Sequence, residues 1–164
     1  MLRDSLSGCP TTRRAFLGRA AAVLGGVLLA RPVHAQQSTA ALPPMTVYKD
    51  PNCGCCAEWV THVRKAGFTV TVRDTSDMAG VKASFGVPAA LESCHTARVG
   101  AYAIEGHVPA DLIIRLLKEQ KVGRGLAVPG MPIGSPGMEQ GSRKDPYDVL
   151  LFDKAGKTTV YASR

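Results

Sequence analysis

Three cysteines fall within four consecutive positions, Cys53-Gly54-Cys55-Cys56, and this crowding narrows what the chain can become more than any other feature. Adjacent cysteines bridge one another only with strain, so a conventional pair of structural disulfides fits the spacing poorly. Met45-Thr46-Val47-Tyr48 ahead of them reads as a short strand, punctuated by Asp50-Pro51-Asn52. Behind them Cys56, Trp59, Val60 and Val63 recur at spacings of three and four, which predicts a helix from about Cys53 to Lys65. Asn52 is the expected N-cap and Gly67 the stop. The cluster therefore sits at a strand-to-helix junction, where unpaired backbone N–H groups and the helix dipole lower the pKa of the first thiol.

The remaining pattern supplies an α/β succession. Phe68 to Asp74 alternates and is rich in β-branched residues, a second strand. Asp77 to Phe85 reads as a short helix capped by Asp77 and ended by Gly86. Strands are expected at the stretch from Cys94 to Val99 and at Ala101 to Glu105, with Gly106-His107-Val108 as a turn. Pro109 to Lys121 carries the apolar spacing Leu112, Ile113, Leu116, Leu117 of an amphipathic helix. This order is a thioredoxin-like succession. Residues 44–122 are expected to form its core, after a flexible leader at 36–43. Residues 123–164 form a Gly/Pro-rich C-terminal extension, loop through Ser142 and then a closing β-hairpin from Asp148 to Tyr161. So long a Gly/Pro segment is too particular to be an idle linker. No internal repeat is visible.

The first 35 residues read as an address. Thr12-Arg13-Arg14-Ala15-Phe16-Leu17 is a twin-arginine pattern, followed by an apolar run from Ala20 to Ala30 and by Val33-His34-Ala35, which places a cut after Ala35. The run is too short to span a bilayer, which takes about 20 residues. The mature protein is thus expected in the periplasm, with no stable membrane insertion after cleavage. The same segment explains the charge. Of 20 Lys+Arg and 13 Asp+Glu, five arginines and one aspartate lie in residues 1–35, leaving 15 basic and 12 acidic residues. Those are scattered, without a basic stripe or a row of stacking aromatics, so a nucleic-acid partner is excluded. A length of 164 residues corresponds to one domain with a tail.

Cleavage removes Cys9 and leaves Cys53, Cys55, Cys56 and Cys94. Cys53 and Cys56 form a C-x-x-C pair capable of a reversible disulfide, but a plain dithiol enzyme has no need of Cys55. Three thiolates in one turn favour a soft ion, which relieves their mutual repulsion. Cys94 and His95 are placed by the thioredoxin-like layout where they can approach the first helix. His107 offers an imidazole, and Met131 and Met138 offer thioethers, which bind Cu(I) well and Zn(II) poorly; copper is the expected ion. Each candidate has a plainer alternative: Cys94 as a small buried residue, His95 and His107 as hydrogen-bonded structural histidines, Met131 and Met138 as gap fillers. His62 faces solvent or packs on the first helix, and Trp59 is core.

Four blocks carry a resemblance. Asn52-Cys53-Gly54-Cys55-Cys56, Glu92-Ser93-Cys94-His95-Thr96-Ala97, Glu105-Gly106-His107-Val108-Pro109 and the segment from Gly125-Leu126-Ala127-Val128-Pro129-Gly130-Met131-Pro132 through Gly137-Met138-Glu139 resemble the CopG-type family of periplasmic copper-resistance proteins, long catalogued as a domain of unknown function. The resemblance runs from about Met45 to Phe152. It implies a thioredoxin-like domain whose extension folds over the site, copper ions bridged by cysteine sulfurs at Cys53, Cys55, Cys56 and Cys94, and a redox role between Cu(I) and Cu(II). Copper ions are then the partner, with a periplasmic copper efflux system or an electron donor beside them, and nothing demands more than a monomer. Two alternatives stand beside this: a thiol–disulfide oxidoreductase using Cys53 and Cys56, with Val87-Pro88 as a cis-proline shaping its groove, and a passive copper chaperone.

Overall fold

A computed structural model describes residues 41–164; the twin-arginine segment, Cys9 and the leader up to residue 40 lie outside the described residues. The elements follow in the order β1 (Met45–Lys49), α1 (Gly54–Lys65), β2 (Val70–Asp74), α2 (Met78–Phe85), a single 3-10 turn (Ala89–Leu91), β3 (His95–Val99), β4 (Tyr102–Glu105), α3 (Ala110–Glu119), β5 (Gly125–Ala127), β6 (Asp148–Phe152) and β7 (Thr158–Ser163). The described strands form one sheet in the order β2-β1-β3-β4-β5-β6-β7. β1 and β2 run parallel, whereas β3 is antiparallel to both β1 and β4. That is the thioredoxin-like arrangement expected from the succession of elements.

Side chains alternate across the sheet and divide the core in two. On one face Met45, Val47, Ala97, Val99, Ile104 and Leu126 pack with Trp59, Val60 and Val63 of α1 and Leu112, Ile113 and Leu116 of α3. On the other, Ala103, Ala127 and Phe152 pack with Val87 and Leu91 beside α2. Neighbouring residues Ile104 and Ala103, or Leu126 and Ala127, thus serve opposite faces. No helix among the described residues is long and apolar enough to cross a membrane.

Local chemistry explains most boundaries and the exceptions. Asp77 caps α2 as expected, its carboxylate accepting from the Gly80 N–H, and left-handed Gly86 ends the helix. Asn52 is not the cap of α1; Cys53 is, with no side-chain cap bond. The reason is an Asx turn: Asp50 accepts from the Asn52 N–H through its carboxylate and from the Cys53 N–H through its carbonyl, which carries the loop one residue further. Pro109 likewise is the N-cap of α3 rather than its first residue. The largest difference is β5, in a stretch that reads as loop. Three residues between glycines and prolines show no usable alternation, yet Gly125–Ala127 is fully buried, parallel to β4 and antiparallel to β6. Through it the closing hairpin β6–β7 continues the same sheet.

Candidate metal centre

Four sulfurs converge where β1 runs into α1 and the chain enters β3. The ligand atoms of Cys53, Cys55, Cys56 and Cys94 all lie within 4.8 Å of one another. Cys53 and Cys56 are joined as a disulfide across the first turn of α1, while Cys55 and Cys94 are free thiols. The Cys55 sulfur stands 3.6 Å from that of Cys53 and 3.8 Å from that of Cys94. Helix geometry supplies the first three sulfurs; the fourth comes from the residue just before β3. In this form Cys53 is half of the disulfide and carries no thiol proton. Burial, reinforced by Cys55, pushes the Cys94 thiol up to about 12. Cys94 is therefore protonated at neutral pH without a metal, and binding an ion there releases its proton.

Cys94 also faces two imidazoles. Its sulfur is 3.0 Å from His107 Nε2 and 3.4 Å from His95 Nδ1, and the three residues form a second convergent set. His107 Nδ1 stands 2.8 Å from the carbonyl of Pro136, which only accepts, so Nδ1 carries the proton and Nε2 presents its lone pair to the sulfur. A ring nitrogen held by a backbone carbonyl is the usual support of a metal-binding histidine. His95 is fully buried, 4.3 Å from the Trp59 ring between centroids, and its Nε2 has no hydrogen-bond partner among the described residues. Burial lowers the pKa of both histidines, His95 well below its ordinary value, so both are neutral donors at pH 7.

The Gly/Pro segment covers this end of the sheet. Gly137 lies at φ +85, and a Cβ there would come within 2.8 Å of the Cys55 carbonyl oxygen and the Trp59 nitrogen, so only glycine allows the loop this close to α1. Gly130 donates to the Glu92 carbonyl and accepts from the Ser93 hydroxyl. The two methionines differ: Met131 is 52% exposed, whereas Met138 is half-buried in a turn where its N–H donates to Ser135. His62 is not simply solvent-facing; its Nε2 accepts from the Ala110 N–H at the start of α3.

A buried polar group on the opposite face went unread in the sequence. Glu105 accepts from Lys82, from the Thr96 hydroxyl at 2.6 Å and from the Ser93 N–H at 2.7 Å. Burial raises the Glu105 carboxyl above its ordinary range, opposed by those donors. Because Ser93 precedes Cys94, this network sets the position of the fourth sulfur. Glu105 sits in an otherwise apolar strand, which was the one available signal. Pro88 is the N-cap of the 3-10 turn, and the Cys94 carbonyl stands 3.8 Å from the Cys56 sulfur of the disulfide.

Fold and site together define a thioredoxin-like protein with a cysteine cluster able to bind metal. A family model described as "Protein of unknown function, DUF411" matches residues 91–138, which include Cys94, His95 and His107. Two solved structures titled "Copper resistance protein copG", forms 2 and 1, are each 44% identical to this chain. Each alignment covers 75% of this chain and 98% of the other, with TM-scores of 0.72 and 0.71. A search of curated proteins finds no match. The chain belongs to the CopG copper-resistance family.

Proposed function

We propose that this is an exported copper-binding protein that limits copper toxicity by holding several ions in a thiolate-bridged cluster and passing them between Cu(I) and Cu(II). The observation that carries the reading is the convergence of four cysteine sulfurs beneath a pinned loop. Once the Cys53–Cys56 disulfide is reduced, Cys53, Cys55, Cys56 and Cys94 offer four soft donors, and sulfurs this close bridge ions rather than each taking one. Sulfur ligation in a partly desolvated site favours Cu(I), and the nearby imidazoles keep Cu(II) accessible. Met131 and Met138 would close the cluster from the loop. The names of the two related structures support the choice of copper, and the twin-arginine pattern supports cleavage after Ala35 and a periplasmic location. An efflux system or an electron donor there would be the partner, and the chain would work as a monomer.

The test is metal retention by the full chain, reduced and loaded anaerobically with Cu(I). More than one copper per chain after desalting, lost in a Cys53/Cys55/Cys56/Cys94→Ser variant, supports the reading; less than one per chain in the wild type ends it. A second reading, thiol–disulfide exchange, is favoured by the Cys53–Cys56 disulfide itself. Such an enzyme would reduce or oxidise a model disulfide and tolerate Cys55→Ser and Cys94→Ser. A passive chaperone needs an exposed, exchangeable site, and the loop over Cys55 weighs against it.

A further inference from the structure

Cys94 belongs to both convergent sets: with Cys53, Cys55 and Cys56 on one side, and with His95 and His107 on the other. The two sets differ in chemistry and in what they require. A sulfur in a disulfide is no thiolate and ligates poorly, so the Cys53–Cys56 bond leaves the first set with only Cys55 and Cys94. None of the second set's ligand atoms takes part in that bond. We infer that Cys94, His95 and His107 form a distinct seat for one borderline divalent cation, which stays available while Cys53 and Cys56 are disulfide-bonded. The inference rests on the copper reading above in that Cys94 is common to both sets.

The geometry fits such an ion. Donors about 2.0–2.3 Å from a tetrahedral ion stand roughly 3.3–4 Å apart. The Cys94 sulfur already lies 3.4 Å from His95 Nδ1 and 3.0 Å from His107 Nε2, so small side-chain rotations suffice. One thiolate and two imidazoles suit zinc or copper in the divalent state better than a purely soft ion. The two imidazoles come from the strand side: His95 opens β3 and packs on Trp59, His107 follows β4, and the Pro136 carbonyl fixes the His107 ring. His95 presents Nδ1 to the sulfur, and its Nε2 has no hydrogen-bond partner among the described residues, so no structural hydrogen bond on that nitrogen ties the ring down. The molecule then has two capacities: one cation when oxidised, and the larger soft cluster after a dithiol reductant converts the disulfide to two thiols and is itself oxidised to a disulfide.

Co(II) is the probe, because it leaves disulfides intact and its thiolate charge-transfer band reports sulfur ligation. The full chain, with the Cys53–Cys56 disulfide verified by non-reducing mass analysis, is titrated anaerobically. One Co(II) per chain with a charge-transfer band is expected, and the Cys53→Ser/Cys56→Ser double variant should bind as the wild type does. Cys94→Ser should lose the band. His107→Asn, whose amide nitrogen takes the Nδ1 position and keeps a donor for Pro136, should weaken binding by about tenfold or more. Circular dichroism checks that each variant is folded, and the double variant keeps every proposed ligand if one of the others is not. Co(II) bound only after reduction, or a band that survives Cys94→Ser, overturns the inference. A reduced chain that holds no Cu(I) ends the copper reading while leaving the Co(II) result standing.

Discussion

The thiols of α1 and the imidazoles at the β3–β4 end flank Cys94 from opposite sides, and the chain holds them by different means. Cys53, Cys55 and Cys56 come from one helical turn whose cap lacks a side-chain hydrogen bond, and all but Cys56 are partly exposed. His95 and His107 are fully buried and fixed by strand pairing, by Trp59 and by Pro136. One half is thus a partly exposed helix start closed by a disulfide, whereas the other is preset by its packing. The contrast shows how a single fold can combine a deformable sulfur set with a rigid nitrogen set, provided one residue is shared.

Cys94→Ser is the sharpest way to break that comparison. It removes the shared donor, so copper retained by the reduced chain should fall below that of Cys55→Ser, measured as metal per chain after desalting. Equal retention in the two variants would mean Cys94 is peripheral to the thiol side.

Glu105→Ala strikes the support of the rigid half. It leaves Lys82 charged and buried without its partner, and breaking a buried pair from one side costs about 3–5 kcal/mol. Urea unfolding should show the loss, and Glu105→Gln, which keeps one acceptor oxygen for the Ser93 N–H, should lose less. Gly137→Ala tests the loop over the thiol half. A side chain at φ +85 costs about 1–3 kcal/mol before the contact with Cys55 and Trp59 is counted. Alkylation of Cys55 should quicken as the loop lifts.

The smallest effect is expected at His62. Burial lowers its pKa against the pull of Glu139 and Asp111, and the neutral ring accepts from the Ala110 N–H. Below its ordinary value of 6.5 the unfolded chain therefore takes up the proton first, and stability falls as pH drops through that value towards the lowered one. His62→Gln should flatten the slope of unfolding free energy against pH in that window; an unchanged slope would assign it to His95 and His107.

The elements most easily read from the sequence are those whose signals are local. The β-branched alternation around Val70 to Asp74, the Asp77 cap with Gly86 and the apolar stripe Leu112, Ile113, Leu116 each state their structure within a few residues. The Asx turn at Asp50 shifted the start of α1 by one residue because two competing caps lay side by side. β5 escaped because its three residues are strand only through β4 and β6. At the site, Cys53, Cys55 and Cys56 were legible from spacing, and Cys94 with His95 from the order of elements. Pro136, Lys82 and Glu105 were not, since a carbonyl acceptor and a buried ion pair leave no periodic trace.

By itself the sequence determined the class of chemistry and the scaffold: soft donors too crowded for ordinary staples, at a helix start, in a thioredoxin-like succession. Cysteine spacing and hydrophobic period act over a few residues, so they survive without a folded partner. Only the tertiary structure decided that Cys94 would be the hinge between sulfurs and imidazoles, and that the loop of 128–138 would hold His107 to it. Those meetings depend on strand register, which pairs Thr96 with Glu105 and carries residues far apart in the chain to the same end of one sheet.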